Sequence, residues 1–154
     1  MCGICGWAAA DHENRFDEVL LQKMTRTLHH RGPDGEGYFN EPGVALGHRR
    51  LSILDIEHGA QPFFSPSRRY ILTYNGEIYN APELRNHLTS RGFPFKTHCD
   101  TEVIAVLADA AGFDFIDDLE GIFAFGLWDR EEKRLLLARD GLGVKPLIYR
   151  IEND

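Results

Sequence analysis

Ile122-Phe123-Ala124-Phe125-Gly126-Leu127-Trp128 is apolar at every position. A strand with one wet face alternates apolar and polar residues, so an unbroken apolar run of strand length belongs to a strand covered on both faces. The polar stretch 129–134 then reads as a turn, and 134–139 as the return strand of an antiparallel hairpin. A hairpin needing cover on both faces, in a chain with about three helical segments, predicts an α+β fold of layered, mainly antiparallel sheets flanked by helices.

Working outward, residues 3–10 form a short apolar stretch that reads as a buried strand with Cys2 at its beginning. Phe16, Val19, Leu20, Met24 and Leu28 recur at helical spacing, which predicts an amphipathic helix over 16–30, ended by Gly32-Pro33. Residues 44–54 and 70–74 read as strands separated by a Pro/Ser-rich loop at 62–67. Asn80-Ala81-Pro82-Glu83 has the form of a helix start, with Asn as N-cap and Glu in a capping box, for a helix running to Ser90 and stopped at Gly92. Asp100 opens another through Val103, Ile104, Val106 and Leu107, ending at Gly112. No repeat, low-complexity tract or linker divides the sequence. Its 154 residues suit one domain spanning 1–154, a size that buries roughly two-thirds of the surface exposed when unfolded.

Charged residues at 27% and apolar ones at 43% are ordinary globular values, indicating neither disorder nor a membrane protein. The longest apolar run, 121–128, is too short to cross a bilayer. A net charge of −7 argues against sequence-independent nucleic-acid binding; His29-His30-Arg31 and His48-Arg49-Arg50 are basic spots too short to reverse it. Three cysteines is an odd number, which fits a reducing compartment better than a disulfide framework. No secretory signal is recognisable, so a cytoplasmic location is expected.

Cys2 carries the chemistry. Removal of Met1 would make it N-terminal, with its own α-amine as base: reference values of about 7.7–8.0 for such an amine and about 8.5 for a thiol allow proton transfer near neutral pH. The competing reading is a small buried hydrophobe. A metal or redox site at Cys2-x-x-Cys5 is disfavoured, because residues i and i+3 of a strand point to opposite faces roughly 10 Å apart. Cys99 stands alone, and His29, His30 and His48 lack ligand spacing, so no metal is assigned.

Four further stretches hold polar groups suited to acyl chemistry: Arg31-Gly32-Pro33-Asp34, His48-Arg49-Arg50-Leu51-Ser52-Ile53-Leu54-Asp55, Asn75-Gly76-Glu77-Ile78-Tyr79-Asn80 and Asp100-Thr101-Glu102. With Cys2-Gly3-Ile4 at the start and Ala138-Arg139-Asp140-Gly141-Leu142-Gly143-Val144-Lys145-Pro146-Leu147 near the end, their order resembles the glutaminase domain of glutamine-hydrolysing asparagine synthetases, a branch of the class II glutamine amidotransferases. The resemblance covers nearly the whole chain, from Cys2 to Tyr149. It implies the four-layer α/β/β/α sandwich of N-terminal nucleophile hydrolases and conversion of L-glutamine to L-glutamate and ammonia through a Cys2 thioester.

The resemblance also implies the roles of the other groups. Asn75 and Gly76 become the oxyanion hole, although Asn-Gly is equally the favoured hairpin dipeptide, and both roles together are expected of a turn that presents donors. Arg50 matches the arginine that grips the glutamine α-carboxylate; by itself it reads as a surface ion pair. Arg49, next along a strand, faces the other way. Backbone groups of Leu51, Ser52, Ile53 and Leu54 line the same pocket, while Glu77 and Asp100 match positions that bind the α-ammonium group. Asp100 is equally explained as a helix N-cap. Arg31, Asp34 and Lys145 lie in segments that read first as turns.

In the family this domain continues further and an ATP-using, Mg-dependent synthetase domain follows, accepting the ammonia. Here the sequence stops at Asp154 and has no phosphate-binding loop, so no cofactor is expected within it, and a C-terminal truncation is expected. A missing final strand would expose a sheet edge, opening association as a homodimer. Two rival functions remain at this level: a truncated, catalytically silent binding module of the same fold, and a Cys-based zinc or redox protein.

Overall fold

A computed structural model describes residues 1–51 and 59–152. One antiparallel sheet contains β1 (Gly3–Ala8), β2 (Gly35–Glu41) and β3 (Val44–Arg50) in the order β1-β3-β2. The second contains β4 (Phe63–Phe64), β5 (Tyr70–Ile78), β6 (Gly121–Asp129) and β7 (Arg134–Arg139), all antiparallel neighbours in chain order. Helix α1 (Glu18–Thr27) packs on the first sheet; α3 (Asp100–Ala111) packs on β5, with α2 (Ala81–Ser90) against α3. The sheets face each other through β1, β3 and β5. The layers are therefore α/β/β/α.

Strand β6 explains this stacking. Phe123, Phe125 and Leu127 enter a core with Val103, Ile104, Leu107 and Phe115 on the helical side, while Trp128 meets Val44, Leu46 and Ile71 between the sheets. Each such large side chain contributes about 1.5–3 kcal/mol when fully buried, so both faces of the strand demand a partner layer.

Local expectations differ from the structure where tertiary contacts intervene. The buried stripe of α1 is Leu21 and Thr25, not Val19 and Leu20, which are 59% and 46% exposed. Thr25 tolerates burial because its hydroxyl donates to the Leu21 carbonyl. Phe16 precedes the helix and packs on Trp7 instead. Strand β2 escapes the sequence reading because Gly35-Glu36-Gly37-Tyr38 has no apolar alternation; it forms by pairing along all of β3. Asn80 precedes α2 without a side-chain cap, since its amide donates to the Asp118 carbonyl and accepts from Glu120 N–H, tying the helix start to the segment that leads into β6. Among the described residues no helix is long and apolar enough to cross a membrane.

His48, 1% exposed, reaches from β3 across the inter-sheet space, with its Nε2 3.1 Å from the Tyr74 carbonyl oxygen on β5. Burial pushes its pKa from 6.5 down to about 4, with Arg50 and Arg49 adding to the shift and the hydrogen bond opposing it. Because the folded value lies below the unfolded one, the stabilisation is complete above the unfolded pKa and is lost as pH falls through the folded one, amounting to about 3 kcal/mol. His48→Gln keeps a donor for the carbonyl and removes the titration. Denaturant midpoints should therefore show the parent losing stability relative to the variant as pH falls from about 7 to about 5; parallel losses would assign the titration to another group.

Candidate functional site

Cys2 immediately precedes β1, and the pairing of Gly3 with Arg49 sets it beside Arg50 at the end of β3. Its Sγ receives the Leu51 N–H at 3.4 Å and lies 3.8 Å from the Leu51 carbonyl oxygen, to which the thiol donates. Its own carbonyl accepts from Arg31 Nε at 3.1 Å. Strand alternation puts Arg50 on the face of β3 shared by Leu46 and His48, toward the second sheet. Arg49 faces the α1 side, as expected, and donates to the Gly32 carbonyl.

Cys5 also faces α1, with Sγ 3.3 Å from Thr25 Oγ1, and burial pushes its thiol pKa up. Cys2 and Cys5 thus sit in separate environments on either side of the sheet. Cys99 is buried beside Thr97. Among the described residues no group of three His, Cys, Asp or Glu is placed to hold a metal ion.

The expected turn at Asn75-Gly76 is absent. Both residues lie inside β5, paired with Ala124 and Phe123 of β6. Tertiary pairing overrides the hairpin preference, and Gly76 serves a different purpose: a Cβ there would stand 2.4 Å from the Ile122 carbonyl oxygen and 2.7 Å from Phe123 Cα. The donor expectation for Gly76 nevertheless has a geometric basis. Beyond the short β4, no strand among the described residues pairs with the outer edge of β5. There Tyr74 N–H donates to Gln61 Oε1 at 2.7 Å, the Tyr74 carbonyl meets His48, and Ile78 N–H donates to Asp100 Oδ2 at 3.1 Å. N–H direction alternates along a strand, so Gly76 N–H points to this same edge, midway between those of Tyr74 and Ile78. The Asn75 side chain, 5% exposed, shares the inter-sheet face with Ile71 and Thr73.

Asp100 is the first residue of α3, whose N-cap is Cys99, so it does not act as the cap. Its Oδ2 accepts from Tyr74 Oη at 2.6 Å as well as from Ile78 N–H, and neither bond uses Oδ1. Burial, reinforced by nearby Asp100, Glu77 and Cys2, pushes the Tyr74 hydroxyl pKa far up, so it remains a proton donor. Glu77 is exposed at the rim. Ser52, Ile53 and Leu54 lie outside the described residues.

Cys2, Arg50 and Leu51 thus gather at one end of the first sheet, Asn75, Gly76 and Glu77 follow one another along β5, and Asp100 opens α3. The sequence reading holds Arg31 as a weak site candidate in a turn segment, reads His48 as a surface or packing residue and does not single out Tyr74 or Gln61, whose residue types carry no signal of their own. Lys145, a candidate of the same kind as Arg31, is held near the N-terminus: Asp140 accepts the N–H groups of Val144, Lys145 and Phe123, and Lys145 Nζ lies 3.6 Å from Met1 Sδ.

A sequence family described as a glutamine amidotransferase domain matches residues 1–154. An asparagine synthetase [glutamine-hydrolyzing] 3 of Bacillus subtilis is 42% identical over 97% of this chain and 25% of its own length. Asparagine synthetase B [glutamine-hydrolyzing] of Escherichia coli is 41% identical over 96% of this chain and 26% of its own. The chain therefore spans about a quarter of the length of these curated relatives. Among solved structures, the glutamine phosphoribosylpyrophosphate amidotransferase from B. subtilis, complexed with ADP and GMP, superposes with a TM-score of 0.62 at 22% identity, covering 90% of this chain and 36% of that one. This likeness establishes the fold.

Gly76→Ala tests the close approach of β5 and β6. Overpacking of a tight contact costs about 1–3 kcal/mol, so a denaturant midpoint lowered to that extent is expected. An unchanged midpoint would mean that the strands can separate without penalty.

Proposed function

This chain belongs to the glutamine amidotransferase domain family, and on that premise we propose that it catalyses the glutaminase half-reaction, L-glutamine plus water to L-glutamate plus ammonia. The observation that carries this reading is that Cys2 lies beside Arg50 at the end of β3, and that His48, two residues before Arg50 on the same face of β3, reaches the Tyr74 carbonyl on β5, the strand that carries Asn75 and Gly76. Such an arrangement holds a substrate carboxylate and attacks a side-chain amide in one place.

After removal of Met1, the α-amine of Cys2 takes the thiol proton as Sγ attacks the amide carbon. The oxyanion is met by the Asn75 amide and the Gly76 N–H, two donors already oriented before the charge forms. The proton passes to the leaving nitrogen, ammonia departs, and water cleaves the thioester to glutamate. Arg50 clamps the α-carboxylate with its fork. Asp100 Oδ1 and the Glu77 carboxylate receive the α-ammonium group, and the backbone of residues 51–54 lines the pocket. The released ammonia serves an ATP-dependent synthetase of the asparagine synthetase kind, and the chemistry needs no cofactor within residues 1–154. In a reducing cytoplasm Cys2 stays a thiol.

While Met1 is attached, the nitrogen of Cys2 is an amide and no base. General-base help is commonly worth about a hundred- to ten-thousand-fold, so a chain retaining Met1 is a silent module of the same fold. Intact mass after incubation with a γ-diazoketone analogue of glutamine distinguishes the states: loss of methionine with one adduct on Cys2 is expected, and loss of methionine with no adduct would favour the silent module. Cys2→Ala should abolish ammonia release while leaving the melting curve unchanged; undiminished release would exclude the thioester route. Arg50→Lys loses the bidentate clamp on a charged group, so KM for glutamine should rise about ten- to hundredfold; an unchanged KM would place the α-carboxylate elsewhere.

A further inference from the structure

We propose that Arg49 is a positioning residue for the nucleophile: its guanidinium fastens the 29–33 loop to β3 so that Arg31 holds the Cys2 carbonyl. This inference rests on the glutaminase reading for its functional meaning, and on separate geometry for its content.

Arg49 is 6% exposed on the α1 side of the first sheet, away from Arg50 and the inter-sheet space. Nε donates to the Gly32 carbonyl at 2.8 Å and Nη2 to the Pro33 carbonyl at 3.3 Å. Nη2 also meets His29 Nδ1 at 2.5 Å, and Nη1 pairs with Glu36 Oε2 at 2.7 Å. One planar group thereby engages three residues of one loop and the strand that follows it. Lysine, a single point donor on a flexible stem, cannot reproduce that fork.

The loop has little freedom under this clamp. A Cβ on Gly32 would stand 2.5 Å from the Arg49 carbonyl carbon and 2.6 Å from Arg50 N, so the loop backbone lies directly against β3. Asp34 N–H then donates to the Arg50 carbonyl at 3.0 Å. Between these anchors stands Arg31, whose Nε reaches the Cys2 carbonyl at 3.1 Å. Cys2 lies outside the β1–β3 ladder, which begins at Gly3. Arg31 therefore restrains the backbone of a residue that the sheet itself does not hold.

The restraint bears on reactivity through Sγ, which sits 3.4 Å from Leu51 N. An N–H aimed at sulfur favours the negative charge it carries as it attacks, and small displacements of a nucleophile from such a contact are costly to rate. Among the described residues the Arg49 guanidinium bonds Gly32, Pro33, His29 and Glu36, so it acts on Cys2 through the loop and Arg31.

The test is a double-mutant cycle on the full chain, processed to Cys2. Alkylation of Cys2 by a haloacetamide, mapped to its peptide, reads the thiol without requiring glutamine recognition; the γ-diazoketone analogue and steady-state kinetics read the glutamine site. Arg49→Lys and Arg31→Gln should each slow both alkylations by about tenfold or more at a temperature where each variant is folded. The double variant should be little slower than either single one, because the residues act in series. Glutaminase kcat should fall with KM unchanged, since Arg50 and Asp100 keep their places. Parental alkylation rates in a folded Arg49→Lys variant with a lowered melting temperature would overturn the proposal, as would losses that simply multiply. If Arg49→Lys fails to fold, Glu36→Gln releases the guanidinium from its charge partner and should slow alkylation in the same direction; a parental rate there counts against the proposal. A parent that reacts with the haloacetamide but not with the analogue would defeat the glutaminase reading alone, leaving the Arg49 coupling to be read from the haloacetamide arm.

Discussion

Strand β5 outruns its neighbour. Its partner β4 is two residues long, and among the described residues no strand pairs with the edge of β5 from Tyr74 to Ile78. Backbone groups buried without partners are costly, so such an edge must be satisfied by other means. Gln61 takes the Tyr74 N–H, His48 meets the Tyr74 carbonyl and Asp100 takes the Ile78 N–H. The Gly76 N–H lies between them on the same edge. The site is in this sense an unfinished piece of sheet.

The same constraint joins the layers. His48 belongs to the first sheet and Asp100 to α3, so satisfying the β5 edge draws the first sheet, β5 and the start of α3 together. Tyr74 is shared by all three attachments: its N–H, carbonyl and hydroxyl each hold a different element. Glycines permit the close packing this demands. On the far side of β5, Gly76 and Gly121 let two backbones approach where any Cβ would collide with a carbonyl oxygen.

Much of the fold was legible because it follows from patterns of burial. The uniform apolar character of 122–128 announced a strand with two covered faces, and the glycines at 92 and 112 stopped their helices where positive φ was required. What escaped the reading is equally physical. Strand β2 has no pattern of its own and is recruited by β3, and Asn80 had two lawful partners, its own helix or the 118–120 segment before β6, of which packing selected the second. Asn75-Gly76 obeyed the ladder with β6 rather than its local turn preference, because nine paired residues outweigh one dipeptide.

The candidate site divides along the same line. Sequence alone determined the chemical inventory: a cysteine one residue from the start, an arginine whose neighbour must face the opposite way on a strand, an amide followed by a glycine, and carboxylates at a helix start and beyond the glycine. These follow from residue type and spacing, which are local. Only the tertiary structure decided that Gly76 lies within a strand rather than a turn, that Asp100 serves Tyr74 and Ile78 rather than its own helix, and that Arg31 rests on the carbonyl of Cys2. Those outcomes depend on which backbone groups are left without partners once the sheets have paired, and no stretch of sequence contains that information by itself.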